Sequence, residues 1–315
     1  MRFILLSIFL TAVLLGCTPK KPEEVTPIRK CKLQSITKRG YFFSDRKFTY
    51  NELDLLTQDV ETLDRKQGYV SVKTTSYTYN KGQFLIRKLI RQRGIYNTGQ
   101  IDSSTVYDES YIYNDKGLLV EMEVKGQAQY KRYFEYEGNN LKEVRDESSS
   151  SISMLIFTDG KPSGLIVNDK YSSNQQKYEF NSQGYIVKVN NLDQTGVTKS
   201  SGQFSYDNTG HLIRSEEIIG GKVTRTNLFE YDDKINPELL LSQFKGIPNY
   251  ELYGTSVNNR TKSTTNNSGG YFGEGSKYSY NKKGYPIQCQ TLIGIPPNYP
   301  DSPPLEVTYM YSDCE

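Results

Sequence analysis

One phrase recurs through this chain and limits what it can fold into. It is an aromatic residue, any residue, a second aromatic, then a polar turn that usually holds glycine. It reads Tyr77-Thr78-Tyr79-Asn80-Lys81-Gly82, then Tyr111-Ile112-Tyr113-Asn114-Asp115-Lys116-Gly117, then Phe134-Glu135-Tyr136-Glu137-Gly138. It returns at Tyr178 and Phe180 with Gly184, at Phe204 and Tyr206 with Gly210, at Phe229 and Tyr231, and at Tyr278 and Tyr280 with Gly284. Tyr309-Met310-Tyr311 is a half-copy, and weaker copies sit at Tyr50-Asn51 and Phe157-Thr158-Asp159-Gly160. Second aromatics at 113, 136, 157, 180, 206 and 231 stand 23, 21, 23, 26 and 25 residues apart. A fixed period of that size marks tandem copies of one supersecondary unit. The wider gap from 231 to 280 leaves room for one degenerate unit near Val257-Asn258-Asn259.

Each copy reads as a β-hairpin. The polar turn tolerates positive φ and closes tightly. Aromatics two apart share one face of the incoming strand. On the outgoing strand, Leu118, Val120, Met122 and Val124 alternate with Leu119, Glu121, Glu123 and Lys125, which predicts one apolar face and one wet face. The segment with Leu53, Leu56, Val60 and Leu63 has near-helical spacing, but it aligns with the repeat position by position, so a hairpin is expected there too. A glycine-rich stretch, Gly269-Gly270 with Gly273 and Gly275, reads as a long loop.

Ten or so two-strand units give an all-β fold of about 18 to 20 antiparallel strands in meander order. Open sheets rarely exceed about ten strands without curling, so a barrel, shell or sandwich is expected. Aromatics of neighbouring units, Tyr77, Tyr79, Tyr111, Tyr113, Tyr136, Phe180, Tyr206, Tyr231, Tyr278, Tyr280, Tyr309 and Tyr311, are expected to form a structural ladder on the inner face. If the sheet closes with an even strand count, its edge strands become antiparallel neighbours. Cys31 opens the first strand and Cys314 ends the last, which places the two within disulfide reach. A Cys289–Cys314 pair would instead mean an open sheet.

The amino terminus predicts export. Arg2 is followed by an apolar run from Phe3 through Leu15, the length of a signal-peptide core and too short for a permanent span. Leu14-Leu15-Gly16-Cys17 resembles the lipobox of bacterial lipoproteins. That resemblance implies cleavage after residue 16 and acyl chains, palmitate among them, on Cys17; two or three chains anchor stably where one does not. Residues 17–29 carry three prolines, at 19, 22 and 27, among charged residues, and read as a flexible tether. Thr18 is not the aspartate that retains many lipoproteins in the inner membrane, which favours the outer membrane, on its periplasmic or outer face. Residues 30–315 form the single β-repeat domain.

Composition narrows the partners. With 39 basic and 36 acidic residues the net charge is +3, which speaks against nucleic acid. The 26 tyrosines and 13 phenylalanines, with no tryptophan, favour strands and half-exposed surfaces. Wet faces rich in Lys, Glu and Arg favour a water-soluble barrel over a transmembrane one.

The repeats resemble the YD repeats of bacterial Rhs-type shells. The whole domain is also similar to a family of Bacteroides-group lipoproteins of unknown function with a porin-like fold. The marks are the lipobox, Cys31-Lys32-Leu33-Gln34-Ser35-Ile36, Asp233-Lys234-Ile235-Asn236-Pro237, Asn258-Asn259, Tyr280 through Pro286, and the terminal Tyr309-Met310-Tyr311. The resemblance implies a barrel and no biochemical activity.

The search for chemistry finds little. His211 is the one histidine and reads as a solvated turn residue. Glu216-Glu217 and Asp232-Asp233 are adjacent, so in a strand they face opposite sides. Asp207-Asn208 fits hairpin chemistry better than calcium. The cysteines lack zinc-site spacing. No catalytic residue, metal or cofactor is expected. The reading is a non-enzymatic module for a glycan, peptide or envelope protein. A carboxylate-based envelope hydrolase and a passive structural component are the alternatives.

Overall fold

This computed structural model describes Cys31 to Cys314, apart from residues 41–42, 65–67, 97, 150, 159, 170–174, 194, 242–243, 249–256, 295–303 and 313. The signal segment 1–16, Cys17 and the tether 17–29 lie outside the described residues.

The aromatic phrases end the incoming strands. These are β2 (Phe43–Tyr50), β4 (Tyr69–Tyr79), β6 (Ile101–Tyr113), β8 (Tyr130–Glu137), β10 (Ser151–Thr158), β12 (Gln175–Phe180), β14 (Thr198–Tyr206), β16 (Lys222–Ile235), β18 (Gly270–Tyr280) and β20 (Leu305–Ser312). The outgoing strands are β1 (Lys32–Arg39), β3 (Leu56–Asp64), β5 (Leu85–Tyr96), β7 (Leu119–Gly126), β9 (Asn140–Ser148), β11 (Lys161–Asp169), β13 (Ile186–Leu192), β15 (Leu212–Ile219), β17 (Asn258–Asn267) and β19 (Pro286–Gly294). All twenty belong to one sheet. Sequence neighbours pair antiparallel around it, β11 and β12 lie side by side, and β20 returns onto β1. The result is a nearly closed all-β barrel.

The turns follow from Asn and Asp. In Asn114 the side-chain Oδ1 accepts the N–H groups of Lys116 and Leu118, each at 3.0 Å. Asn51, Asn80, Asn181, Asp207 and Asn281 do the same at their turns. The fourth turn residue takes positive φ, as at Gly117 (75°) and Gly184 (91°). Where the fourth residue is not glycine, Asp54 and Gln83 take that conformation, at 63° and 66°. Asp tolerates it better than most side chains do.

After each turn the register slips by one residue. Tyr113 pairs with Leu119, then Ile112 pairs with Glu121, leaving Val120 bulged. The same slip occurs at Tyr50/Leu56, Tyr79/Leu85 and Tyr206/Leu212. The bulge corrects the expected phase: Leu119, at 1% exposure, is buried where Leu118 was expected, and Met122 and Val124 stay inward. A bulge inserts one residue and flips alternation behind it.

The pair β20–β1 is a hairpin unit without its turn. Leu33 pairs with Tyr311 and Ser35 with Met310, the same one-residue slip. Where the other units have an Asx turn, this one has the Cys31–Cys314 disulfide, with Cα atoms 4.5 Å apart. Cys289 is a buried free thiol on β19.

Two expectations are corrected. Among the described residues no degenerate unit fills the gap from 231 to 280: β16 is followed by a 3-10 turn, Pro237–Leu241, and then by β17 from Asn258. The glycine-rich stretch is not a long loop. Gly270 to Gly275 lie in β18, laddered with Asn267 to Lys262, because glycine opposite Thr264 and Lys262 leaves backbone pairing intact. The segment at Leu53 and Leu56 is the β2–β3 hairpin, as its alignment requires.

The inner face carries two apolar clusters. One gathers Leu85, Tyr111, Leu119, Met122, Val124, Phe134, Val144, Leu155 and Phe157. The other gathers Leu33, Ile36, Phe48, Leu56, Cys289 and Val307 across the seam. Each fully buried Leu contributes about 1.5 to 3 kcal/mol. The outer face carries charge pairs, including Arg87–Asp108 (2.7 Å), Lys131–Glu121 (3.2 Å), Arg214–Glu216 (2.6 Å) and Lys262–Glu230 (2.8 Å). Arg and Lys cost about 2 to 4 kcal/mol each at a bilayer midplane.

Candidate functional site

The ladder residues all lie on the inward face at the end of the barrel that holds the Asx turns. Second aromatics of the phrases form a first ring there, and first aromatics a ring above it. Their contacts differ from the expected inner-face ladder. Each second tyrosine that shows the contact reaches the preceding hairpin. Tyr79 Oη donates to the Leu56 carbonyl (2.7 Å), Tyr113 to Leu85 (2.9 Å), Tyr206 to Ile186 (2.7 Å) and Tyr231 to Leu212 (3.0 Å). Tyr50 and Tyr311 reach Leu33 and Pro286 likewise. Those carbonyls lie just beyond the point where the next ladder begins, for example Gln58 with Ser76 after Leu56. The hydroxyl therefore supplies the donor that the bulge takes away. Burial pushes the Tyr79 and Tyr113 hydroxyls up to about 12.

The last turn residue of a unit packs on the tyrosine of the next. Phe84 meets Tyr113 at 4.9 Å, Tyr185 meets Tyr206 at 5.1 Å, and Tyr285 meets Tyr311 at 5.5 Å between ring centroids. His211 occupies the same slot and stacks on Tyr231 at 4.7 Å. This corrects the expectation of a solvated residue: His211 is 5% exposed. Nδ1 lies 2.8 Å from Asp207 Oδ2, and Nε2 lies 2.8 Å from Asn258 Oδ1. Both ring nitrogens are engaged, so the imidazole has no free atom for catalysis or a metal. Burial raises the Asp207 carboxyl, but hydrogen bonds from Thr209 and His211 outweigh it and hold it at about 2.

The sequence motifs of the late chain converge beside this histidine. Asp232 accepts from Lys234 N (2.9 Å) and Asn259 N (3.1 Å), and from the Tyr280 hydroxyl. Asn258 Nδ2 donates to the Lys234 carbonyl at 3.1 Å. This knot fixes both ends of the β16–β17 insertion. From it the insertion enters the barrel end. Leu241 packs on the seam cluster, and Phe244 and Ile247 on the other cluster. Phe244 stacks on Tyr77 at 5.5 Å. Lys245 Nζ donates to the Gly82 carbonyl at 3.0 Å and lies 4.5 Å from the Phe84 ring centroid. The described part of the insertion thus packs across this end as a plug.

Above the aromatic rings the lining is polar. Arg46 holds Asp59 in a two-point pair (2.9 and 2.6 Å), with Glu238 of the plug 3.6 Å away. Hydrogen bonding to Asp59, ahead of the opposing effect of burial, raises the Arg46 pKa. Lys88 and Tyr111 both reach Glu109, at 3.0 and 2.6 Å. Arg132 Nη2 donates to Asp146 Oδ2 at 2.6 Å.

Strands β13–β17 differ from the rest. Among the described residues, neither apolar cluster draws a member from them. Beyond the aromatic pairs and the buried Ile186 and Val189 of β13, their inward positions include Asn191, Ser200, Ser215, Glu217, Arg225, Asn227, Arg260 and Thr265. Asn227 donates to Ser215 Oγ at 2.9 Å and accepts from Thr265 Oγ1 at 2.8 Å. Arg225 faces Glu217 at 3.9 Å, and Arg260 meets Glu274 of β18 at 2.5 Å. Arg225, Glu217 and Arg260 are about half exposed although they face inward. Two inward apolar side chains, Ile219 and Phe272, are 49% and 40% exposed. Solvent therefore reaches the inside of this half.

The sequence did not reveal this polar lining. Only the bulge phase identifies Ser215 and Glu217, rather than Arg214 and Glu216, as the inward pair. Glu216 and Glu217 do face opposite sides, as adjacency in a strand requires.

No known family model matches the chain, and no curated protein does. Among solved structures it is similar to a porin-like protein from Bacteroides uniformis, with 13% identity, covering 89% of this chain and 96% of that one, at a TM-score of 0.44. It is also similar to a porin-like protein from Bacteroides vulgatus, with 10% identity over 89% of this chain and 98% of that one, TM-score 0.31. A third likeness is to the Tc holotoxin pore of Photorhabdus luminescens, with 11% identity over 79% of this chain and 19% of that one, TM-score 0.16.

Proposed function

We propose that this chain is an outer-membrane lipoprotein, anchored through Cys17, whose barrel is a non-enzymatic binding module and not a pore. One observation carries the reading: the Asx-turn end is plugged, while β13–β17 keep a solvent-reached, polar inner wall. Cys31 lies at the plugged end, so a tether on residues 17–29 sets that end toward the membrane and the far mouth away from it. The charged outer face supports a barrel held beside the bilayer, not in it.

The inward acids argue for binding over hydrolysis. Asp59, Glu109, Asp146, Glu217 and Glu274 each sit against an Arg or Lys.

Labelling cells with an alkyne palmitate analogue tests the anchor. The protein takes up label and fractionates with outer membrane, and Cys17→Ser abolishes both; label retained in the variant refutes the anchor. Affinity capture from detergent-solubilised envelope, beside a glycan array, tests the binding role. A reproducible ligand is expected, and none in either assay refutes it. In planar bilayers the purified protein gives no conductance steps; steady channels would refute the plugged reading.

A further inference from the structure

We infer that the inner wall of β13–β18 is a binding site for an uncharged oligosaccharide, an assignment that rests on the binding-module reading above. The chemistry of the wall selects the ligand. Its central formal charges come as two pairs, Arg225 with Glu217 and Arg260 with Glu274, so these four side chains sum to zero, and Lys222 stands at the rim opposite Ile219. A balanced wall offers no attraction to a polyanion or polycation. It offers donors and acceptors side by side, which is what vicinal hydroxyl groups of a sugar need.

The groups are also held in place. Arg260 is bonded to Glu274 at 2.5 Å and lies over the Phe229 ring at 5.9 Å. Asn227 is fixed between Ser215 and Thr265. Side chains ordered before a ligand arrives lose less entropy on binding. Apolar surface interleaves with them. Phe272 pairs in register with Thr265, so its ring stands on the same face as Asn227, and it is 40% exposed. Ile219 stands on that face beside Ser200 and is 49% exposed. The Phe204 ring lies along its own strand, 3.1 Å from where a Cβ on Gly202 would stand, so glycine there keeps the wall flat. Exposed rings beside fixed polar groups match a pyranose, which has one apolar face and an equatorial rim of hydroxyls. A peptide would seek unpaired backbone at a strand edge, and these strands are laddered on both sides.

Calorimetric titration of the full lipidated protein in detergent tests the site. The probes are maltohexaose, cellohexaose and chitotetraose, with an oligogalacturonate as the anionic counterpart and an Ala-rich hexapeptide as the peptide counterpart. At least one neutral sugar binds, and the oligogalacturonate binds more weakly than it. Phe272→Ala and Glu274→Gln each weaken that sugar by about tenfold, which corresponds to about 1.4 kcal/mol. Arg214→Ala, on the outer face, leaves it unchanged, and circular dichroism shows all variants folded. No sugar bound at millimolar concentration, tightest binding of the anion or the peptide, or sugar binding indifferent to Phe272→Ala and Glu274→Gln overturns the assignment. If the sugars fail while envelope capture still yields a partner, the binding-module reading stands and only this site falls. If both fail, both fall.

Discussion

On β7, Met122 and Val124 face the barrel axis and are buried. At the matching places on β15, after Leu212, the chain has Ser215 and Glu217. The incoming strands of the two halves are alike: Tyr111 and Tyr113 on one, Phe204 and Tyr206 on the other. The outgoing strands decide what fills the barrel. Between β5 and β10 they supply aliphatic side chains, and an apolar cluster forms beneath the polar lining. Strand β13 still supplies the buried Ile186 and Val189, but β15 and β17 supply Ser, Glu, Arg and Thr, and water reaches the wall. The repeat phrase therefore specifies the scaffold, its turns and its spacing, and leaves the interior free to vary.

That contrast can be broken or sharpened by experiment. The largest effect is expected at the seam, which both halves share. Replacing both Cys31 and Cys314 by serine removes a cross-link spanning 283 residues, a loss of up to about 5 kcal/mol on the chain-entropy model. Urea denaturation followed by tyrosine fluorescence should show a single transition at lower midpoint; two separated transitions would mean that the halves are independent bodies. Next, Leu119→Ala in the packed half should cost about 3 kcal/mol, while Ser215→Ala in the wet half should cost under about 1 kcal/mol. Equal losses would erase the distinction between the halves.

Smaller still is the hydroxyl contact that both halves possess. Tyr113→Phe and Tyr206→Phe should each cost about 1 kcal/mol, by leaving the Leu85 or Ile186 carbonyl without its donor. Similar values would confirm a common device, and a gap of more than about 1.5 kcal/mol would show that the wet half relies on something else. The smallest effect belongs to Asp207, in the wet half. Its folded pKa, about 2, lies below the ordinary 3.8, so its contribution is present above pH 4 and fades as pH falls through 2. Calorimetric scans from pH 5 to 2 should show a shallower loss of Tm in Asp207→Asn than in the parent. Identical slopes would remove Asp207 from the account.

The sequence made the scaffold legible because it is local. Asx turns, aromatics two apart and a period near 23 are written within a few residues of one another, and the strand count follows from them. Closure was legible through Cys31 and Cys314 alone. The interior was not legible, since one bulged residue after each turn reverses which side chains face in. His211 was misread for a related reason: its meaning lies in the slot it shares with Phe84, Tyr185 and Tyr285, one unit apart, and not in its neighbours. The plug was hidden in a 49-residue gap that looked like a worn repeat. The polar wall follows only when register is known on five adjacent strands.

The bridge at the seam also bears on mechanics. A barrel hung from residues before Cys31 takes any tension at that point. Without the bridge, a pull would fall on β1 alone and could strip it from its neighbours one hydrogen bond after another. With Cys31 joined to Cys314, the pull divides between two strands and is passed to ladders on both sides of the seam. On the proposed anchoring, the atoms that complete the ring would also serve as its mooring.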